Sequence, residues 1–117
     1  MEHWTYLQYR AAVENDVDYA LSKRRYSSVQ AVGYAHNELA LRLEERPDEA
    51  TLALVALATE ANRRGVLNQH PIDTPFAIEV SERLLPKFVE EAIRKMSSDE
   101  KDVFEQDVTA LRRAYSY

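Results

Sequence analysis

The chain of 117 residues contains no cysteine, two glycines and four prolines. Without cysteine it forms neither disulfide bonds nor thiolate sites. So few glycines and prolines leave little material for the tight turns of a β-rich fold, and two isolated glycines cannot build a phosphate-binding glycine-rich loop. No apolar run reaches the roughly 18 residues of a membrane span, so we predict no membrane association.

The amino terminus lacks the basic stretch and the apolar run of a signal peptide, and Glu2 places an acid there. We therefore expect a cytoplasmic protein. The net charge of −5 argues against broad electrostatic binding to nucleic acid. A local basic patch stays open, because the placement of charges matters more than their sum.

What the sequence does contain is a helical period of apolar residues along almost its whole length. Its length suits one domain, whose core needs no metal or disulfide for stability. Short connections favour antiparallel neighbouring helices. We therefore predict an all-α fold, a single-domain antiparallel bundle of about five helices over residues 1–117.

Capping signals mark the start of the second predicted helix and the end of the third. The first covers about residues 3–24, and the second opens at the capping box Ser27-x-x-Gln30. The third contains the stretch 51–58, which is apolar on nearly every face, so we expect other helices to surround it. Gly65 ends it, since glycine readily adopts the left-handed conformation.

The longest predicted loop, residues 66–74, precedes the fourth helix. Thr74 caps this helix, with Pro75 at its first position, where a missing amide costs nothing. Pro86 is expected to kink or break it. The capping box Ser97-x-x-Glu100 opens the fifth helix.

The apolar stripes of these helices predict the core. Its members are expected to be Val13, Val17, Val32, Leu39, Leu43, Leu54, Leu57, Val80, Leu84, Phe88, Val108 and Leu111. Seven tyrosines are an unusual share of the aromatic residues. We expect most of those in the first third of the chain to pack half-buried between helices, with some lining a binding surface.

Residues for catalysis or metal binding are sparse. His36 lies on the apolar stripe of the second helix with no second histidine four residues away, and we interpret it as a core or boundary residue. His3, near the terminus, is expected to be solvated. No serine lies in a Gly-x-Ser-x-Gly elbow. We therefore predict no metal site, no cofactor and no nucleophile.

One segment resembles a known family. Arg64, or Arg63, and His70 have the Arg-x4–6-His spacing of the HEPN family of ribonucleases. Further similarity lies at Asp16–Leu21, Tyr26, Tyr34-Ala35, Glu38-Leu39, Ile72-Asp73 and Leu85-Pro86, so that the resemblance covers roughly residues 10–96.

The resemblance implies a dimer in which the Arg/His pairs face one another across the interface. The arginine would hold the RNA phosphate and His70 would transfer protons in metal-independent cleavage. Two residues depart from the family pattern: Gly65 directly follows the arginine, where a polar residue is usual, and Pro71 follows the histidine.

In an antiparallel bundle the charges would separate toward two ends. The predicted basic pole consists of Lys23, Arg24, Arg25, Arg63, Arg64, Arg112 and Arg113. The predicted acidic pole consists of Glu44, Glu45, Asp48, Glu49, Asp99, Glu100 and Asp102. Complementation of helix dipoles accounts for most of this pattern, but Glu44 and Glu45 lie at a helix carboxyl end, where acids are unfavourable.

These observations favour a small acidic protein-interaction module without enzymatic activity, such as an adaptor, an antitoxin, an immunity protein or a phage-type inhibitor. Its predicted contact residues for a protein partner are Glu44, Glu45, Asp48, Glu49, Asp99 and Glu100. The alternative is a HEPN-like ribonuclease or toxin using Arg63, Arg64 and His70. A homodimer stays open, and nucleic acid, a less favoured partner, would bind at Lys23, Arg24, Arg25, Arg63 and Arg64.

Overall fold

The computed structural model describes residues 2–68 and 74–115. Their helices are α1 (Tyr6–Ser22), α2 (Ser28–Glu45), a 3₁₀ turn (Pro47–Glu49), α3 (Ala50–Arg63), α4 (Thr74–Arg83), α5 (Pro86–Ile93) and α6 (Ser98–Ala114). No strand occurs in these two segments. The predicted all-α class is therefore confirmed. None of the helices described is long and apolar enough to cross a membrane.

The described segments contain six α-helices where the sequence predicted about five. The predicted fourth helix is two helices, because α4 ends at Arg83 and α5 begins at Pro86. Proline lacks the amide that continues a helix, and it disfavours the helical conformation of the residue before it. Leu85 is accordingly extended, with φ −61° and ψ 143°.

The two predicted capping boxes, at Ser27 and Ser97, are both confirmed. A third, not predicted, opens α1: Thr5 accepts from the amide of Gln8 at 3.1 Å, and Gln8 accepts from the amide of Thr5 at 2.8 Å. α1 therefore begins at Tyr6. Thr74 was predicted to cap the fourth helix, but its side chain lies outside the part of the chain that the structure describes.

Helix α3 lies at the centre of the fold and contacts α1, α2, α4, α5 and α6. This confirms the prediction drawn from its apolar faces. All of the predicted core residues are buried except Leu43 and Phe88, which are half-buried. Val89 is the buried residue of α5 instead of Phe88. The reason is that α5 is a separate helix that begins at Pro86. The residues of α5 that face the core are therefore not those expected from a continuation of α4.

Two left-handed residues end helices. Gly65, with φ +73°, follows α3, and the amide of Val66 donates to the carbonyl of Ala61 at 2.9 Å. This pattern is a Schellman motif, and it confirms the predicted stop at Gly65. After α1 the same role falls to Arg24, whose φ of 59° is unusual for a residue with a side chain.

Contacts between helices set their directions. The amide of Trp4 donates to Glu49 and the amide of Tyr6 donates to Glu100, which brings the beginnings of α1, α3 and α6 to one end. Arg63, at the end of α3, pairs with Glu14 in the middle of α1. Helices α1 and α3 therefore run in the same direction.

Candidate functional site

The six predicted acidic contact residues divide into two groups. Glu44, Glu45 and Asp99 are exposed, and no ion pair of theirs occurs within segments 2–68 and 74–115. The other three have partners inside the protein. Asp48 pairs with Arg46 at 3.0 Å, and Glu100 accepts from the amide of Tyr6 at 2.9 Å.

Glu49, the third of these, is buried, with 1% of its surface exposed. Its Oε1 accepts from the Tyr9 hydroxyl and from Arg42 Nη2 at 2.9 Å, and its Oε2 accepts from the amide of Trp4 at 3.0 Å. Burial opposes ionisation of Glu49, but the hydrogen bonds from Tyr9, Trp4 and Arg42 outweigh it and lower the pKa of the carboxyl. Glu49 is therefore a satisfied anion in the interior.

Arg42 connects this buried anion to the amino-terminal segment. Its Nε donates to the Tyr9 hydroxyl at 2.8 Å, and its guanidinium carbon lies 3.8 Å from the centre of the Trp4 ring. It also donates to the carbonyl of Glu2. These contacts hold the residues before α1 against the corner between α2 and α3. Burial raises the pKa of Tyr9, and so does its hydrogen bond to Glu49, so Tyr9 donates as a neutral phenol.

Three side chains of the kinds that bind metal ions lie close together beside this network. The sequence had predicted no metal site. One ligand atom each of His3, Asp48 and Glu49 lies within 4.8 Å of the others. The Nη2 of Arg46, however, lies 3.2 Å from His3 Nδ1, 3.0 Å from Asp48 and 3.2 Å from Glu49. A metal ion would have to displace this guanidinium. We therefore interpret the cluster as an ion-pair network.

The arginines of the HEPN resemblance are paired with acids. Arg63 Nη1 donates to Glu14 at 2.7 Å and to Glu60 at 3.0 Å. Arg64 Nη2 donates to Asp18 at 2.9 Å, and its Nε lies 3.6 Å from Glu60. Glu60 is buried, so these contacts tie the end of α3 to α1.

The histidine of that resemblance, His70, lies outside the described residues, as do Ile72 and Asp73. The pairing of His70 with the arginines therefore stays what the resemblance implies. His36 is half-buried, and its ring lies 5.3 Å from that of Phe76. Burial lowers the pKa of His36, against an opposing effect of Glu79.

The remaining members of the predicted basic pole have different surroundings. Lys23, Arg24, Arg25 and Arg113 are exposed. The ammonium group of Lys23 lies 4.5 Å from the centre of the Tyr19 ring. Arg112 instead donates to the carbonyl of Leu84, at 3.2 Å from Nε and 2.6 Å from Nη2, and so caps the end of α4.

A groove of about 370 Å³ runs between α1 and α2 and brings two acids together. Asp16 of α1 and Glu38 of α2 both line it. Burial raises the pKa of Asp16, and so does the neighbouring charge of Glu38. Arg42 lines the groove too, but its hydrogen bonds go to Tyr9, Glu49 and Glu2. Among the described side chains, no cation forms an ion pair with Asp16 or Glu38.

An exposed apolar residue continues this surface along α2. Leu41 has 64% of its surface exposed, although it belongs to a helix whose other face lies in the core. Side chains three or four residues apart share a helix face, which makes Glu38, Glu44 and Glu45 the neighbours of Leu41. We call these four residues and Asp16 the acidic surface.

Sequence reasoning missed Asp16, Glu38 and Leu41 as candidates. A signal for Leu41 existed, since it lies off the apolar stripe that includes Val32 and Leu39. The proximity of Asp16 to Glu38 has no such signal, because it depends on how α1 packs against α2.

No family model matches the chain, and no curated protein or solved structure is significantly similar to it.

Proposed function

We propose that the chain is a protein-interaction module without enzymatic activity, and that its acidic surface binds a basic segment of a protein partner. The observation that carries the proposal is the pair Asp16 and Glu38, two acids of one groove with which no cation forms an ion pair among the described residues. An adaptor, an antitoxin, an immunity protein or an inhibitor would each work in this way.

The electrostatic cost of this pair favours a partner that supplies a positive charge. Desolvation by burial is the larger cause of the raised pKa of Asp16, and repulsion by the like charge of Glu38 adds to it. A lysine or arginine of a partner placed in the groove would remove the repulsion. The gain would appear only in the complex, as expected of residues retained for binding rather than for stability.

Leu41 supplies the second element of an interface. Protein interfaces commonly have an apolar centre that becomes dry and a polar rim that stays wet. Leu41 is exposed and has acids on either side along α2. A partner that matches this surface has an apolar contact flanked by basic residues.

The proposal retains Glu44 and Glu45 from the predicted contact set and gives the others less weight. Glu49 and Glu100 take hydrogen bonds inside the protein, so their charges contribute to the fold. The acids at the end of α2 are exposed and have unfavourable interactions with its dipole. Long-range attraction from such acids accelerates encounter with a basic partner.

The test compares tagged variants in pull-downs from the native host at low and high salt. The variant Glu38→Lys/Glu45→Lys should lose the protein that the wild-type chain enriches, and the captured protein should carry a basic segment. Glu90→Lys/Asp102→Lys, with acids on exposed positions of α5 and α6, makes the same change of net charge and should retain it. Equal capture by both variants would refute the acidic surface as the binding site.

A further inference from the structure

A cavity of about 260 Å³ lies on another part of the molecule, where the start of α3 meets α5. It is bounded by His3, by the 3₁₀ turn, by the end of α4 and by the turn between α5 and α6. A cavity of roughly 150 Å³ already holds benzene. This one therefore has room for a ring or a short alkyl chain together with one polar group.

The lining of the cavity is apolar on one side and cationic on another. Its apolar residues are Pro47, Leu52, Phe88, Ala92 and Met96. Its cations are Arg83 and Lys95, and no ion pair involves either of them within the described chain. A pocket that combines apolar walls with a few polar groups is the usual form of a small-molecule site.

Arg83 is held in position without being neutralised. Its Nη1 donates to Thr51 Oγ1 in a long hydrogen bond of 3.4 Å. Its guanidinium carbon lies 4.7 Å from the centre of the Phe88 ring. Both partners are uncharged, so the positive charge of Arg83 stays available to a ligand beside the apolar wall.

Three of the four acids around the cavity do not cancel these cations. Asp48 is paired with Arg46, and Glu49 is paired with Arg42 and Arg46. Glu100 accepts hydrogen bonds from backbone amides at the beginnings of α1 and α6. Only Glu91, which is exposed, lines the cavity without such a partner among the described residues.

We propose that this cavity binds a small organic carboxylate with an apolar body. The fork of the Arg83 guanidinium matches a carboxylate in two parallel hydrogen bonds, and Lys95 adds a second positive charge. The apolar body of the ligand lies against Leu52, Phe88 and Met96. The site is separate from the acidic surface, and the inference does not depend on the proposed protein partner.

The test titrates the full chain with 3-phenylpropionate while backbone amides are followed by NMR. Saturable shifts are expected at Leu52, Ala92 and Met96. The amide and the amine of the same carbon skeleton are the control ligands. They should bind at least about tenfold more weakly, because they cannot form the charge-assisted hydrogen bonds of a carboxylate with Arg83. Equal affinity for the neutral amide would overturn the assignment of a carboxylate.

Three variants localise the binding. Arg83→Gln keeps an amide donor for Thr51 and should weaken 3-phenylpropionate binding about tenfold. Arg94→Gln removes the same charge from an exposed residue outside the cavity and should leave affinity unchanged. Ala92→Leu fills the cavity without changing charge and should abolish binding, with a thermal melt to verify folding. Full affinity in Arg83→Gln, or shifts confined to other surfaces, would refute the proposal.

Discussion

The Tyr9 hydroxyl donates a hydrogen bond to the buried carboxylate of Glu49, 40 positions further along the chain. The same hydroxyl accepts from Arg42 Nε, and Arg42 in turn donates to Glu49. Three helical segments, α1, α2 and the 3₁₀ turn, therefore meet in one closed ring of hydrogen bonds. A buried network of this kind is costly unless every polar group in it has a hydrogen-bond partner. Removal of one group should therefore weaken the contacts of the others.

The lowered pKa of Glu49 predicts a pH-dependent stability. A carboxyl whose pKa is lower in the folded state stabilises the fold above its ordinary value of 4.5, and this contribution is lost as the pH falls through the lower folded value. Glu49→Gln should cost about 1–3 kcal/mol at pH 7 and progressively less below pH 4.5. Urea unfolding at several pH values measures the difference. Glu90→Gln, at an exposed position, is the control, and a constant difference across the pH range would contradict the prediction.

The centre of α3 is expected to tolerate truncation poorly. Leu57 is fully buried, with 0% exposed, in a helix surrounded by five others. Leu57→Ala should lower the free energy of unfolding by about 2–5 kcal/mol, because the cavity it leaves cannot collapse. Leu41→Ala makes the same chemical change at an exposed site and should stay within about 0.5 kcal/mol of wild type. Chemical denaturation measures the free energy of unfolding of both variants. Similar losses in the two would contradict the prediction.

Local signals made much of the fold predictable. The capping boxes at Ser27 and Ser97 need only residues three apart, and the stop at Gly65 needs only the conformational freedom of glycine. Thr5-x-x-Gln8 has the same signature and could have been found in the same way. The break at Pro86 was visible, but whether proline kinks or divides a helix depends on what the next helix packs against.

The sites were much less predictable because their contacts join distant positions. The Tyr6 hydroxyl donates to Asp107 at 2.6 Å across 101 positions, and Arg10 pairs with the same carboxylate at 2.7 Å. No spacing rule connects such residues. Glu49 shows the consequence: its charge suggested a contact surface, whereas packing places it in the interior.

Arg24 offers a direct route to a more stable protein. Its φ of 59° lies in the left-handed region, which costs a residue with a side chain about 1–2 kcal/mol. Glycine has no such penalty but loses more entropy on folding, so Arg24→Gly should raise stability by up to about 1 kcal/mol. Thermal unfolding measures the gain. Lys23→Gly, at a neighbouring residue with φ −76°, should lower stability, and a lower melting temperature for Arg24→Gly would contradict the argument.

The ribonuclease alternative makes the sharpest opposing prediction. An RNA phosphate at Arg63 or Arg64 would have to compete with Glu14, Glu60 and Asp18, whose oxygens already lie 2.7–3.6 Å from the guanidinium nitrogens. Exposed ion pairs are weak, but Glu60 is buried and would lose its partners. We therefore expect purified protein to leave mixed RNA intact in the presence of a metal chelator.

The variants Arg64→Ala and His70→Ala decide the outcome if RNA is cleaved. Cleavage that is lost in both of them, but retained in Arg113→Ala, would place a phosphate-binding arginine and a proton-transferring histidine in one site. The HEPN-like activity would then replace the interaction module as the function of the chain. Cleavage that persists in both variants would point to a contaminating nuclease, because His70→Ala lacks the proton-transferring group that the family mechanism requires.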